Sequence, residues 1–476
     1  MSQYIIQSPL FINTTSNGVV IPRLTTSQKN AIVNPVQGTL IYDTTQNDFT
    51  FYNGSYWIPS GYSLTGGAYT TTSTDAFGRL RVSNPFTLFD SSYRYKENGK
   101  FFNTGSGVNY TGTFNNDASL YEMTLTGKNS SLIRTSTKVF PYQPGKSLLV
   151  FNSFCFAPQI TGLTQSVGYF NDTNGVYFKQ NDVSKYFVMR SSTIGILSEI
   201  AIPQSSWNQD TLDGNGPSGV TLNTESSQLL FMDFEWLGVG SVRVGFVINE
   251  VFIVAHQFNY ANGIGNQSTY ITTATLPVRY LIESDNNYPI STNRTLKQIC
   301  STVISEGGYQ GTSIKQYAFS SANKVTPKTT KTSPNQTPLF SIRIDPSRPD
   351  TVVLPSQADL FVNTADTILY ELVLGGTLSF AGSSGAWTNV NSISSNVQYN
   401  NTYNVTTTTL TGGIVIDTQY VSSSAITKST IATDAFEFNV QLGKNLDGTD
   451  QILTVCATSL TGDADVCAAL GWYELN

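Results

Sequence analysis

Where apolar residues recur regularly in this chain, they do so at every second position, the period of a strand with one face buried. The clearest case is Leu229 to Phe258, which reads as a three-stranded antiparallel meander. In its first strand, Leu229–Leu237, Leu230, Met232, Phe234 and Trp236 share one parity, with Asp233 and Glu235 on the other. Gly238-Val239-Gly240 supplies a turn, and the second strand, Val242–Ile248, puts Val242, Val244, Phe246 and Ile248 on one face. Asn249-Glu250 then forms a two-residue hairpin turn into Val251–Phe258. These loop lengths predict a register. Trp236 faces Val242, Phe234 faces Val244 and Met232 faces Phe246; across the second turn Ile248 faces Val251, Phe246 faces Ile253 and Val244 faces Ala255. One face is then apolar over three strands. The other carries Glu235, Arg243 and His256 in one row, either an ion pair beside a hydrogen-bonded histidine or a ligand-contact row.

The same period predicts strands at Leu148–Phe156, Lys185–Arg190, Pro277–Ile282 and Gln298–Ser305, then at Phe340–Ile344, Ile368–Leu374, Gly413–Asp417, Phe436–Leu442 and Gln451–Ala457. Ala464–Leu470 reads as a short helical turn, and Asp447-Gly448 as a turn. Near the N-terminus, Thr25-x-x-Gln28 has the form of a capping box, with Pro35 as the stop of a short helix. Thr39–Tyr42, Phe49–Tyr52 and Ser55–Ile58 follow as small strands around an Asn53-Gly54 hairpin. Gly/Ser/Thr-rich residues 61–74 and the Lys, Pro, Ser and Thr residues of 311–337 read as linkers. The expected organisation is a module at 1–62, a central β-sandwich at 63–310, a linker at 311–337 and a C-terminal β domain at 338–476.

Composition agrees with this all-β reading: of 476 residues only 12% are charged, while 12% are aromatic and neutral polar residues abound. Many short strands at turn-punctuated spacing predict a central jelly-roll or lectin-like sandwich, a C-terminal sandwich and a small N-terminal helix-hairpin module. A net charge of −6 provides no basic footprint for nucleic acid. No apolar run is long enough for a membrane span, and MSQYIIQSPLF lacks the basic start and apolar core of a signal peptide, so synthesis in a cytoplasm is expected.

Candidate chemistry is sparse. A single histidine excludes multi-histidine catalysis and most zinc sites, and no GxSxG is present. Cys155, Cys300, Cys456 and Cys467 show no CxxC spacing and read as buried free thiols, a Cys456–Cys467 disulfide being the alternative. Asp210-x-x-Asp213-Gly214-Asn215-Gly216 has the look of a calcium loop but not its regular spacing, so a turn is expected; Asp172–Gly175 and Asp447–Asp450 are weaker versions. No catalytic, metal or cofactor residue is assigned. Trp57 and Trp207, beside turns, are the candidates for glycan contact, whereas Trp236 is expected in the core. Glu235 with Asp233 is a poor glycosidase pair, since residues two apart on a strand are common.

Two sets of residues resemble known families. IPRLTTSQKNAIVNPVQGTLIYDTTQNDFTFYNGSYWI (residues 21–58) is similar to a segment common in phage tail-fibre and other virion proteins. DAFGRLRVSNPFTLFDS, WNQDTLDGNGPSG, DFEWLGVGSVRVGFVINEVFIVAHQF, LPVRYLIE and QICSTVISEGGY resemble a structural-protein family of marine tailed phages and other large DNA viruses. So do PLFSIRI, TGGIVIDTQY and DQILTVCATSLTGDADVCAALGWYEL in the last part of the chain. Glu250 stands where that family leads one to expect glycine. The resemblance implies a virion structural protein and carries no catalytic residues. The expectation is therefore a non-enzymatic fibre, spike or capsid-decorating component. It would be a homo-oligomer, a trimer by analogy with fibres and spikes, with other virion proteins as partners. A receptor-binding adhesin for host surface glycan is the first alternative, and a glycan depolymerase the second.

Overall fold

A computed structural model describes residues 21–54, 56–59, 85–263, 266–289, 292–308, 315–321, 328–329, 336–362, 366–380, 385–403, 408–422, 428–431 and 440–475. The chain divides into two compact units, residues 1–81 and 82–476. Among the described residues the one α-helix is Thr26–Asn30, and the rest of the regular structure is strand save for a 3-10 turn at Gln204–Ser206.

In the small unit, the capping box forms as expected: Thr25 accepts from the Gln28 backbone, and the Gln28 side chain accepts from the Thr25 backbone. The helix sits beside a four-stranded sheet of Arg23–Leu24, Leu40–Asp43, Asp48–Tyr52 and Trp57–Pro59. Asp43, fully buried, ties the two together. Lys29 Nζ reaches it at 2.9 Å, Thr26 Oγ1 donates to it, and so do the backbone N–H groups of Thr45 and Gln46. These bonds hold its carboxyl below the usual carboxylate range even though burial pushes the other way. The hairpin closes with Tyr52 opposite Trp57 and with Gly54 at φ +102°, a conformation that glycine adopts without strain.

The large unit holds two large hydrophobic cores and a small cluster of Phe170, Tyr177 and Val188. The first lies between two antiparallel sheets. A back sheet runs in the order Val251–Phe258, Val242–Ile248, Gln228–Phe234, Leu148–Cys155, Arg294–Ser305, Leu120–Leu125, Tyr110–Asn115, with Phe86–Asp90 also pairing with Arg294–Ser305. A front sheet runs Ser198–Pro203, Lys185–Ser191, Gly175–Gln180, Leu163–Phe170, Val278–Ser284, Ser130–Ser136, Phe101–Ser106. The chain passes between the sheets repeatedly, which yields the jelly-roll-like sandwich that the alternation predicts. Alternate side chains from the two sheets interlock, with Phe178 against Phe246 at 5.2 Å and Tyr169 against Phe234 at 5.2 Å between ring centres. Burying one such side chain stabilises the fold by roughly 1.5–3 kcal/mol.

The second core lies between a sheet containing Lys315–Ser320, Asp465–Leu475, Val352–Val362 and Lys428–Ile431 and another containing Val397–Asn400, Thr337–Ile344, Ile452–Ser459, Thr367–Leu374 and Ile414–Ser422. Two expectations fail here. Lys315–Ser320, within the stretch read as a linker, is a strand paired to Asp465–Leu475, with Tyr317 and Phe319 packed on the core. Ala464–Leu470 is no helical turn: from Asp465 the chain alternates buried and half-buried positions as an eleven-residue strand. Residues 440–442 are irregular, and residues 436–439 of the strand expected there lie outside the described residues. The expected 61–74 linker also lies outside them.

Candidate functional site

The meander forms, but its polar row does not. The first strand stops at Phe234, because Trp236 O accepts from Gly240 N at 2.7 Å and Glu235 N donates to Ser241 O, so the turn starts two residues early. Leu237 and Gly238 both take positive φ there. The register therefore slips by two, with Phe234 opposite Val242 and Met232 opposite Val244. A slip of two keeps the parity, so the core face survives, but Arg243 now lies beside Asp233 and ion-pairs with it instead of Glu235. Trp236 leaves the strand and packs half-buried at the core margin, edge-on to Tyr142 at 5.4 Å.

Across the second turn, Asn249 and Glu250 both take positive φ, as a two-residue turn of this type requires, with Glu250 doing so without glycine's freedom. Ile248–Val251 and Phe246–Ile253 pair as expected; then a bulge intervenes at Val244/Gly245, and Val244 meets His256 instead of Ala255. Gly245 allows it, since a Cβ there would lie 2.0 Å from Ile253 O. The bulge reverses the parity and sends His256 to the inward side beside Phe258. Glu235, Arg243 and His256 are thus in three different settings, not one row.

His256 is buried and accepts a hydrogen bond at Nδ1 from Asn208 N (3.3 Å). Burial pushes its pKa down to about 4, so it is neutral at ordinary pH. Its surroundings are an edge seal. The Asn208 side chain donates to Gln257 O (2.8 Å) and accepts from Gln257 N (2.9 Å), copying a neighbouring strand on the open side of Val251–Phe258. Gln209 N and Asp210 N both donate to Ala255 O. Trp207 belongs to the same seal: it is 4% exposed, donates Nε1–H to Ile202 O and lies 4.6 Å from the Phe187 ring, so it is not an exposed glycan contact. Trp57 is half-buried against Tyr52. The Asp210 loop is a turn. Its two carboxylate oxygens accept from Leu212 N and Ser218 N, which leaves them turned inward. Among the described residues no group of three His, Cys, Asp or Glu is placed to hold a metal. The four cysteines are free, and of them only Cys456 is fully buried.

Two cations near the end of one front-sheet strand stand out, and the pattern reading singled out neither. Arg134 is wholly buried between the sheets. It donates to Gln298 Oε1 (2.6 Å), Asn103 Oδ1 (2.9 Å), Tyr93 OH (2.9 Å) and Glu97 Oε1 (2.6 Å), and lies 3.6 Å from the centre of the Tyr121 ring. It bolts front sheet to back sheet. Its signal is present in SSLIRTS, where it shares the parity of core residue Leu132.

Lys138, four residues on, lines a partly enclosed cavity of about 390 Å³ between the two sandwiches. One wall is the outer face of the front sheet, where Phe102, Thr135 and Arg279 align across three strands and Thr104 aligns with Ile133. The other wall comes from the C-terminal sandwich, through Ile344, Asp350 and an arm at residues 442–450. One backbone and one side-chain bond fix the arm: Lys444 N donates to Thr137 O (2.7 Å), and Gln441 Nε2 donates to Val139 O. Gly443 must be glycine for this approach, because a Cβ would come within 2.1 Å of Thr137 O. Within the cavity Lys444 pairs with Asp450, and Arg279 holds exposed Asp172 at 2.5 Å while resting over Phe170. Lys138 Nζ has no acidic or hydrogen-bonding partner among the described residues; burial, and then the neighbouring Lys100, lower its pKa.

Residues 6–75 match the model of a family described as a phage tail like trimerisation region. No curated protein sequence matches the chain. Similar solved structures include arcelin-5, a lectin-like defence protein from Phaseolus vulgaris, at 11% identity, covering 47% of this chain and 99% of that one, with a TM-score of 0.30. A GH16 protein from a Bacteroides ovatus mixed linkage glucan locus is similar at 8% identity, covering 45% and 99%, with a TM-score of 0.31. The CBM2 module of the evolved Dit of Lactobacillus casei BL23 phage J-1 is similar at 6% identity, covering 48% and 99%, with a TM-score of 0.27. Overlaps at that level bear on neither ligand nor chemistry.

Proposed function

We propose that this protein is a non-enzymatic structural component of a phage or similar virion. Its N-terminal region joins three copies, and its two β-sandwiches form the displayed body of a fibre, spike or decoration. The observation that carries this reading is the match of residues 6–75 to a phage tail like trimerisation region. A β body with few charges and a sealed sheet edge suits an exposed particle component. The setting of His256, buried and neutral in that seal, supports a role without acid–base catalysis. Antibody raised to the protein should label purified particles at an appendage or on the capsid surface. Purified particles that lack the protein altogether would sink the proposal.

A second reading, an adhesin for host surface glycan, is favoured by the cavity beside Lys138. Its partners would be other virion proteins on one side and a host polysaccharide on the other. Release of oligosaccharides from host polymer by the purified protein would instead establish a depolymerase.

A further inference from the structure

The cavity between the sandwiches is preformed. Its walls are tied by backbone bonds from Lys444 and a side-chain bond from Gln441, not by flexible surface contacts. Its volume lies at the small end of the range of small-molecule sites, roughly 300–1,000 Å³. Its surface is mixed, with Phe102, Ile133, Ile344 and Leu442 supplying apolar walls and the charged groups confined to a few points. Of those points, two are already neutralised by their own partners, Lys444 by Asp450 and Arg279 by Asp172.

Lys138 is different. It is half-buried, it has no carboxylate partner among the described residues, and its electrostatic neighbour is another cation, Lys100, whose ammonium is itself turned to Asp90 O. A half-buried ammonium without a counter-charge is unfavourable in the empty protein and is relieved by an anion brought in from outside. Arg279 adds a second point of attachment on the same wall. Its Nε donates to Thr135 and Nη1 to Asp172, which leaves donors on its guanidinium, and Asp172 is 84% exposed and free to yield its place to another carboxylate. Asp350, on the opposite wall, offers acceptors for hydroxyl groups.

We propose that this cavity binds the end of an acidic saccharide, a sugar carboxylate meeting Lys138 and Arg279 while the ring rests on Phe102 and Ile133. The inference deepens the adhesin reading and names its ligand class. It needs no trimer contact, so its failure leaves the structural assignment standing, and particles lacking the protein would not bear on it.

The test uses the full chain and two probes that differ in a carboxylate, sodium glucuronate and glucose, titrated by calorimetry and checked by saturation-transfer NMR. Glucuronate should bind and glucose should bind far more weakly. Lys138→Met should weaken glucuronate by about tenfold to a hundredfold, the scale of one charge-assisted contact. Thr104→Trp, at an exposed position on the cavity wall, fills the cavity without touching a charge and should abolish binding with the circular dichroism spectrum intact. Equal binding of the two sugars overturns the proposal. So does the absence of glucuronate binding, or glucuronate affinity unchanged in Lys138→Met.

Discussion

Arg134 and Lys138 leave the same stretch of chain four residues apart, yet they sit in opposite kinds of region. Arg134 is in the sandwich core, and four side chains and an aromatic ring satisfy its guanidinium. Lys138 is at the rim of the cavity, with no partner for its ammonium among the described residues. A buried cation surrounded by fixed acceptors is part of the scaffold, because most of its donors are already committed to them. A half-buried cation without fixed acceptors adds nothing to the scaffold, and its place in a cavity is what makes the cavity selective. The difference separates the groups that hold this fold from the group that is able to meet a ligand.

Removing the saturated cation should cost most. Arg134→Met strands Gln298 and Tyr93 in the core, and we expect a loss of about 3–5 kcal/mol in urea unfolding. Arg134→Lys keeps the charge but loses the planar fork, and should recover only part of that loss. A loss below about 1 kcal/mol for Arg134→Met would remove the contrast with Lys138.

The next effect is one of pH. His256 has a folded pKa of about 4, below its ordinary value of 6.5, so the unfolded chain binds more protons between those values. Stability from this residue is intact above about pH 6.5, falls as pH drops towards 4, and the total loss approaches about 3 kcal/mol. His256→Gln should flatten that part of the stability–pH curve. The chain has a single histidine, so its ring signal in NMR is unambiguous and should titrate near 4. Titration near 6.5 would place the ring in solvent and break the edge seal described above.

Lys138→Met should have the smallest effect on the fold. It removes an unpaired ammonium, so we expect stability unchanged or raised by up to about 1 kcal/mol near neutral pH. In the native protein the lowered Lys138 pKa means that stability rises with pH between that value and the ordinary lysine value near 10.4. A Lys138→Met variant as unstable as Arg134→Met would show that Lys138 is structural after all.

Much of this architecture is legible in the alternation of side chains. The core residues of the meander, Met232, Phe234, Val244 and Phe246, are on the expected face even though the register between their strands slips, because a slip of two residues preserves parity. What alternation cannot encode is the backbone between strands. The early turn at Trp236 and the bulge at Gly245 depend on local hydrogen bonds and close approach, and they redirect His256 and Arg243 to different sides. Trp207 lies beside a turn in sequence but is buried by the loop it anchors. The cavity was out of reach for a different reason. Phe102, Lys138, Arg279 and Leu442 come from four distant segments: strand pairing sets Phe102 and Arg279 on either side of Thr135, and the docked arm at 442–450 adds the facing wall.

The claim on which the account most depends is that three chains assemble through the N-terminal region. Sedimentation velocity of the full chain measures this directly. The account predicts a single species of three times the 51.9 kDa chain mass, which falls to the single-chain mass when residues 1–81 are removed. A full-length chain that sediments as a monomer at micromolar concentration would contradict it.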